Sequence, residues 1–158
     1  MTANPEVHTI PTKRLNENAI IPKNAYIGDA GYDLCATEEI TLQPFERALI
    51  PTGLAIEIPL GYAGFVVPRS GLAIKQGLSI VNAPGLIDSN YRGELKVIAI
   101  NLDPKNPITI QVGDRIAQLV IMKVESLNFK EVTELNDSDR GIGGFGSSGV
   151  SKNSQINV

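Results

Sequence analysis

Residues 40–67 read ITLQPFERALIPTGLAIEIPLGYAGFVV, and the pattern of this stretch decides the fold. Leu54, Ile56 and Ile58 are apolar at every second position, the period of a half-buried antiparallel strand, with Ala55 and Glu57 between them. Pro44, Pro51, Pro59 and Gly61 interrupt the apolar runs every few residues, so the runs read as short strands joined by turns.

Outward from this stretch the same reading predicts strands over 7–10, 31–36, 40–42, 45–50, 54–58, 64–67, 78–81, 94–101, 108–112 and 116–124. The class is all-β, with turn signals at the spacing of a sandwich or barrel. One segment differs: SGLAIKQ, Ser70–Gln76, opens on a capping residue and lacks the two-residue alternation, so it is predicted to be the one helix. With Ser70 as cap, its first-turn amides and the Arg69 guanidinium would form an anion site.

The run NAPGLIDSNYRGELKV, residues 82–97, sits between two strands and is rich in turn formers. It is expected to hold Asp88 and Tyr91 on a hairpin-like excursion, presenting a carboxylate and a flat ring to a small ligand. An Asp that caps a turn and a Tyr packed on the sheet would look the same; only the rest of the chain decides.

With 158 residues, 42% hydrophobic and 20% charged, the chain can bury a core as one domain over 1–135. Residues 136–158, NDSDRGIGGFGSSGVSKNSQINV, are poor in apolar side chains and read as a flexible glycine-rich arm able to wrap phosphate oxygens. The net charge of −3 with scattered basic residues argues against duplex nucleic acid or an anionic membrane as partner. Cys35 is the sole cysteine and His8 the sole histidine, so no zinc set forms, and Cys35 is expected to be a buried, inert thiol. With neither a membrane span nor a signal peptide in its residues, the chain is expected to be cytoplasmic. Gly141, Gly143 and Gly146 match a dinucleotide-binding spacing, but no strand precedes them and no helix follows, so that match is set aside.

In order along the chain, AGYDLCA (30–36), PRSGLA (68–73), GLIDSNYRGE (85–94), GDRIAQL (113–119) and RGIGGFGSSG (140–149) resemble the five ordered motifs of trimeric dUTP pyrophosphatases, the dUTPases. The resemblance implies a jelly-roll or β-clip-like subunit with one short helix, assembled as a homotrimer whose active sites are shared between chains. It implies hydrolysis of dUTP to dUMP and pyrophosphate with Mg²⁺, which keeps uracil out of DNA and supplies dUMP for dTMP synthesis. On the matching positions, Asp88 would be the general base on the attacking water, while Arg69, Ser70 and Gln118 contact the phosphates and Gln118 also holds the water. Asn82 and the hairpin backbone would read uracil, and Tyr91 would lie where a 2′-hydroxyl clashes. Gly71, Gly85, Ile87 and Lys96 join the substrate-binding set.

The same resemblance makes Asp33 the residue that touches Mg²⁺ through water or orients a phosphate-binding arginine. Arg140, Gly144, Gly146, Ser147 and Ser148 would close over the γ-phosphate while Phe145 covers the base. Ser148 stands where many relatives have Thr, and Gln76 where some have His. Two rivals compete with this reading: a deaminase of dCTP with a related fold, which would release ammonia, and a nucleotide-sensing module without catalysis, which would have no use for Asp88.

Overall fold

The computed structural model describes residues 9–144. The chain divides into two units, Met1–Ser126 and Leu127–Val158, and all regular secondary structure among the described residues lies in the first. Its elements are β1 (Thr12–Arg14), β2 (Gly31–Cys35), β3 (Ile40–Leu42), β4 (Arg47–Ile56), β5 (Tyr62–Val67), α1 (Ser70–Gln76), β6 (Leu78–Ile80), β7 (Gly85–Ile87), β8 (Leu95–Asn101), β9 (Ile108–Ile110) and β10 (Arg115–Lys123). One antiparallel sheet runs β1-β4-β8-β6, a second β2-β10-β5-β7, and β3 pairs with β9 alone. The all-β class and the single short helix agree with the sequence.

Alternation builds the core. In β8 the residues Leu95, Val97, Ala99 and Asn101 are buried at every second position, and they meet Ile50 and Leu54 of β4, Leu34 of β2 and Leu119 of β10 in one apolar cluster shared by both sheets. Asn101 is the polar exception, and it is satisfied: Nδ2 donates to the carbonyls of Leu42 and Asn106.

Three expectations about boundaries are corrected. Of the strand expected at 7–10, Thr9 and Ile10 are irregular and residues 7 and 8 lie outside the described residues; among the described residues the first strand starts past Pro11. The strands expected at 45–50 and 54–58 are one, β4, because Pro51 sits beside a bulge where the register slips between Pro51 and Leu54. A proline there forfeits no ladder bond. Gly53 takes φ 66° at this bulge and its N–H donates to Glu94 Oε1 at 2.9 Å, while Thr52 Oγ1 donates to the Leu95 carbonyl at 2.6 Å. Finally, β7 appears where only turn residues were expected, held by three residues of pairing with β5.

Cys35 is buried, and burial, followed by the Asp33 carboxylate, pushes its thiol pKa up. The described part of the second unit, 127–144, has turns only. Among the described residues no helix is long and apolar enough to cross a membrane.

Candidate active site

The hairpin segment forms the first half of the site. After β7 the chain reverses at Asp88, whose carbonyl accepts from the Tyr91 N–H at 3.1 Å. Tyr91 folds back over its own backbone, and its hydroxyl donates to the Glu94 carbonyl at 2.9 Å. Glu94 is tied down in turn: besides the bond from Gly53, its Oε2 lies 3.4 Å from Lys96 Nζ. The side-chain amide of Asn82 lies against Gly85, where an added Cβ would come within 3.2 Å of Nδ2. Asn82, Gly85, Ile87, Asp88, Tyr91 and Lys96 thus line one cleft of about 500 Å³. All six residues assigned to this hairpin and the following strand come together.

The second half is a cleft of about 850 Å³ that brings together Asp33, Arg69, Ser70, Gly71 and Gln118. Gln118 of β10 stands opposite Asp33 of β2 on one side and Val67 of β5 on the other, so the sheet register itself puts these groups side by side. Its Nε2 donates to the Pro68 carbonyl at 3.0 Å, and its Oε1 lies over Gly31 where any Cβ would overlap it. Asp33 holds two guanidinium groups: Oδ1 is 2.9 Å from Arg69 Nε and Oδ2 is 3.4 Å from Arg115 Nη1. Arg69 Nη1 also donates to the Arg115 carbonyl at 3.1 Å. With Lys75 lining the same cleft, cations outnumber carboxylates around the space between them, as a polyanion site requires.

Ser70 is not the helix cap. It is the first residue of α1, and Arg69 takes the N-cap position with extended backbone and no side-chain capping bond. Arg69 makes no such bond because a guanidinium cannot accept from an amide, and its Nε is paired with Asp33 instead. Ser70 is left exposed at the rim of the cleft.

Asp88 and Arg69 follow on from opposite ends of the β5 pairings. Ile87 pairs with Gly64 near the start of that strand, and Gln118 pairs with Val67 at its end. Three residues at about 3.3 Å each separate those positions by ~10 Å, and Asp88 and Arg69 each continue outward from there. Within one chain neither cleft contains both Asp88 and the group Arg69, Ser70 and Gln118.

Of the arm, Arg140 and Gly144 are described; Arg140 Nε donates to the Gly143 carbonyl at 2.7 Å. Phe145, Gly146, Ser147 and Ser148 lie outside the described residues. Among the described residues no three or more His, Cys, Asp or Glu side chains gather as a metal cluster. Mg²⁺ does not need one, since it retains waters and leans on phosphate oxygens, and the Asp33 carboxylate in the second cleft has the hard oxygen donors that it takes. Sequence reasoning left Arg115, Glu94 and Gly31 without roles and gave Gly93 only that of a turn residue. For Gly31 the signal was there to read, because glycine inside a strand often marks a close approach.

The dUTPase family model matches residues 17–149. The deoxyuridine 5′-triphosphate nucleotidohydrolase of Rhodococcus erythropolis is 56% identical over 141 residues, which are 89% of this chain and 86% of that protein. A mutant dUTPase of Staphylococcus bacteriophage 80alpha, solved with dUpNHpp, superposes with a TM-score of 0.84 at 34% identity, over 91% of this chain and all of that one. A mutant dUTPase from phage phi11 of S. aureus, whose structure describes a structural Mg(II) ion, gives 0.75 at 32% identity, over 80% and 98% of the two chains.

Proposed function

The chain belongs to the dUTPase family, and on that premise we propose how its residues carry out the hydrolysis of dUTP to dUMP and pyrophosphate. Asp88 takes a proton from water as the water oxygen attacks the α-phosphorus; the bond to the bridging oxygen breaks and pyrophosphate leaves. Arg69, Gln118 and the rim hydroxyl of Ser70 donate to oxygens that gain charge. Gln118, fixed by Pro68 and seated on Gly31, also orients the water. Asn82 and the hairpin backbone bind uracil, and Tyr91 meets the sugar. Asp33 keeps Arg69 aimed and would hold Mg²⁺ through an intervening water; the ion would offset triphosphate charge. The arm from 136 onward closes over the nucleotide, with Arg140 on the γ-phosphate.

A single observation carries the proposal that the site is shared in a homotrimer: the base and the phosphate ligands lie toward opposite ends of β5, in separate clefts. A cyclic assembly with heterologous contacts can set one chain's hairpin against the next chain's phosphate cleft. The free, buried Cys35 accords with a reducing compartment, and we keep the cytoplasm as the proposed location.

The test is pyrophosphate release from dUTP, with and without Mg²⁺. Rapid release that Mg²⁺ accelerates is expected. Ammonia from dCTP with no turnover of dUTP would move the assignment to the deaminase reading.

A further inference from the structure

From the hairpin geometry, and resting on the activity proposed above, we infer that Gly93 is a specificity-determining residue: it is the seat that fixes the Tyr91 ring as the wall against a 2′-hydroxyl. The three atoms nearest to a Cβ built on Gly93 all belong to Tyr91, and they are Oη, Cζ and Cε2, the last at 2.9 Å. The ring therefore occupies the space that any other residue at position 93 would claim. Gly93 is not among the glycines with positive φ, so its backbone would accept alanine; the nearest obstacle to the methyl is the Tyr91 phenol.

The tip of the ring is fixed as well. Its hydroxyl donates to the carbonyl of Glu94, the residue that Gly53 and Lys96 anchor through its carboxylate. Around the turn, Arg92 Nη1 donates to the carbonyls of Ser89 at 2.7 Å and Tyr91 at 2.9 Å. The backbone under the ring is thus held in place, while Tyr91, 44% exposed, lines the cleft. Moving the ring off Gly93 breaks the bond to Glu94 and shifts the wall by about the width of a methyl group. Sugar selection is then a property of the pair Tyr91 and Gly93, and not of the tyrosine alone.

Gly93→Ala should lower the ratio of kcat/KM for dUTP over UTP by about tenfold, the scale on which one methyl-sized change alters discrimination. An unmoved ratio in the folded variant overturns the inference. Tyr91→Ala supplies the control background, since it removes the three atoms nearest to the new methyl. In that background Gly93→Ala should leave the ratio unchanged, and a further loss there would show that the methyl acts through some other group. Should Gly93→Ala alone fail to fold, folding of the double variant would identify the ring as the obstacle, and its failure to fold would overturn the inference. Absence of dUTP turnover in the unaltered protein would remove the proposed activity itself; turnover with a ratio indifferent to Gly93→Ala removes this inference only.

Discussion

Asp88 and Arg69 lie beyond opposite ends of one strand pairing, the carboxylate past the Ile87–Gly64 end and the guanidinium past Val67, and they open into different clefts. Asp88→Asn should bind nucleotide and lose about a hundredfold or more in turnover. Arg69→Ala should fail for want of phosphate contact. If hairpin and phosphate cleft come from different chains, co-refolding equal amounts of the two should restore activity in roughly a quarter of sites, where an Arg69→Ala chain supplies the base and an Asp88→Asn chain the guanidinium. Mixed trimers without any recovery would place the whole site in one chain.

Arg115 shares Asp33 with Arg69, so its loss should loosen Arg69 rather than remove it. Arg115 is 57% exposed against 21% for Asp33, which places the pair among those worth ~1 kcal/mol. Arg115→Ala should accordingly raise KM for dUTP about fivefold with kcat little altered, and Arg115→Lys should recover part of that, measured by steady-state kinetics. A fall in kcat at constant KM would mean that Arg115 acts on the transition state directly.

Gly31→Ala tests the seat of Gln118. The added methyl overlaps Oε1 and must push the amide off the Pro68 carbonyl. Misplacing a group proposed to orient the attacking water should lower kcat by about tenfold to a hundredfold. Because a flexible side chain can move aside, the melting temperature should change little; a large drop would make Gly31 a folding residue instead.

How much of this was legible in the sequence follows from the physics of each signal. Alternation located the later part of β4 because its side chains report burial directly. Pro51 misled, since a proline stops a strand except at a bulge, and the bulge depends on Glu94, 43 residues from Thr52's neighbour Pro51 along the chain. The three-residue β7 carries too few side chains to show a period. Motif order brought out Asp88, Arg69 and Gln118, yet the distribution of those residues over two clefts is a matter of sheet register, which no local pattern encodes. Arg115 and Gly93 were passed over because each acts through another residue.

Cys35 gives a pH test. The folded state raises its thiol pKa by burial, while an unfolded thiol ionises near ~8.5. Stability is therefore fully present below the unfolded pKa and is lost as pH rises through and beyond it, because thiolate favours the unfolded chain. Denaturation midpoints should fall from about pH 8 to pH 10 more steeply for the unaltered protein than for Cys35→Ala. Alkylation of Cys35 by iodoacetamide at pH 8 should likewise wait for unfolding; fast labelling of the native protein would contradict the burial.

The outer strands of both sheets are short: β1, β6 and β7 have three residues each, and β2 has five. Each leaves only a brief row of unpaired amides and carbonyls, too little for another chain to extend the ladder indefinitely. Self-association is thereby steered away from open-ended strand addition, the route to fibrils, and toward side-chain surfaces such as those around the two clefts. A chain proposed to work as a homotrimer can then meet its own copies without polymerising.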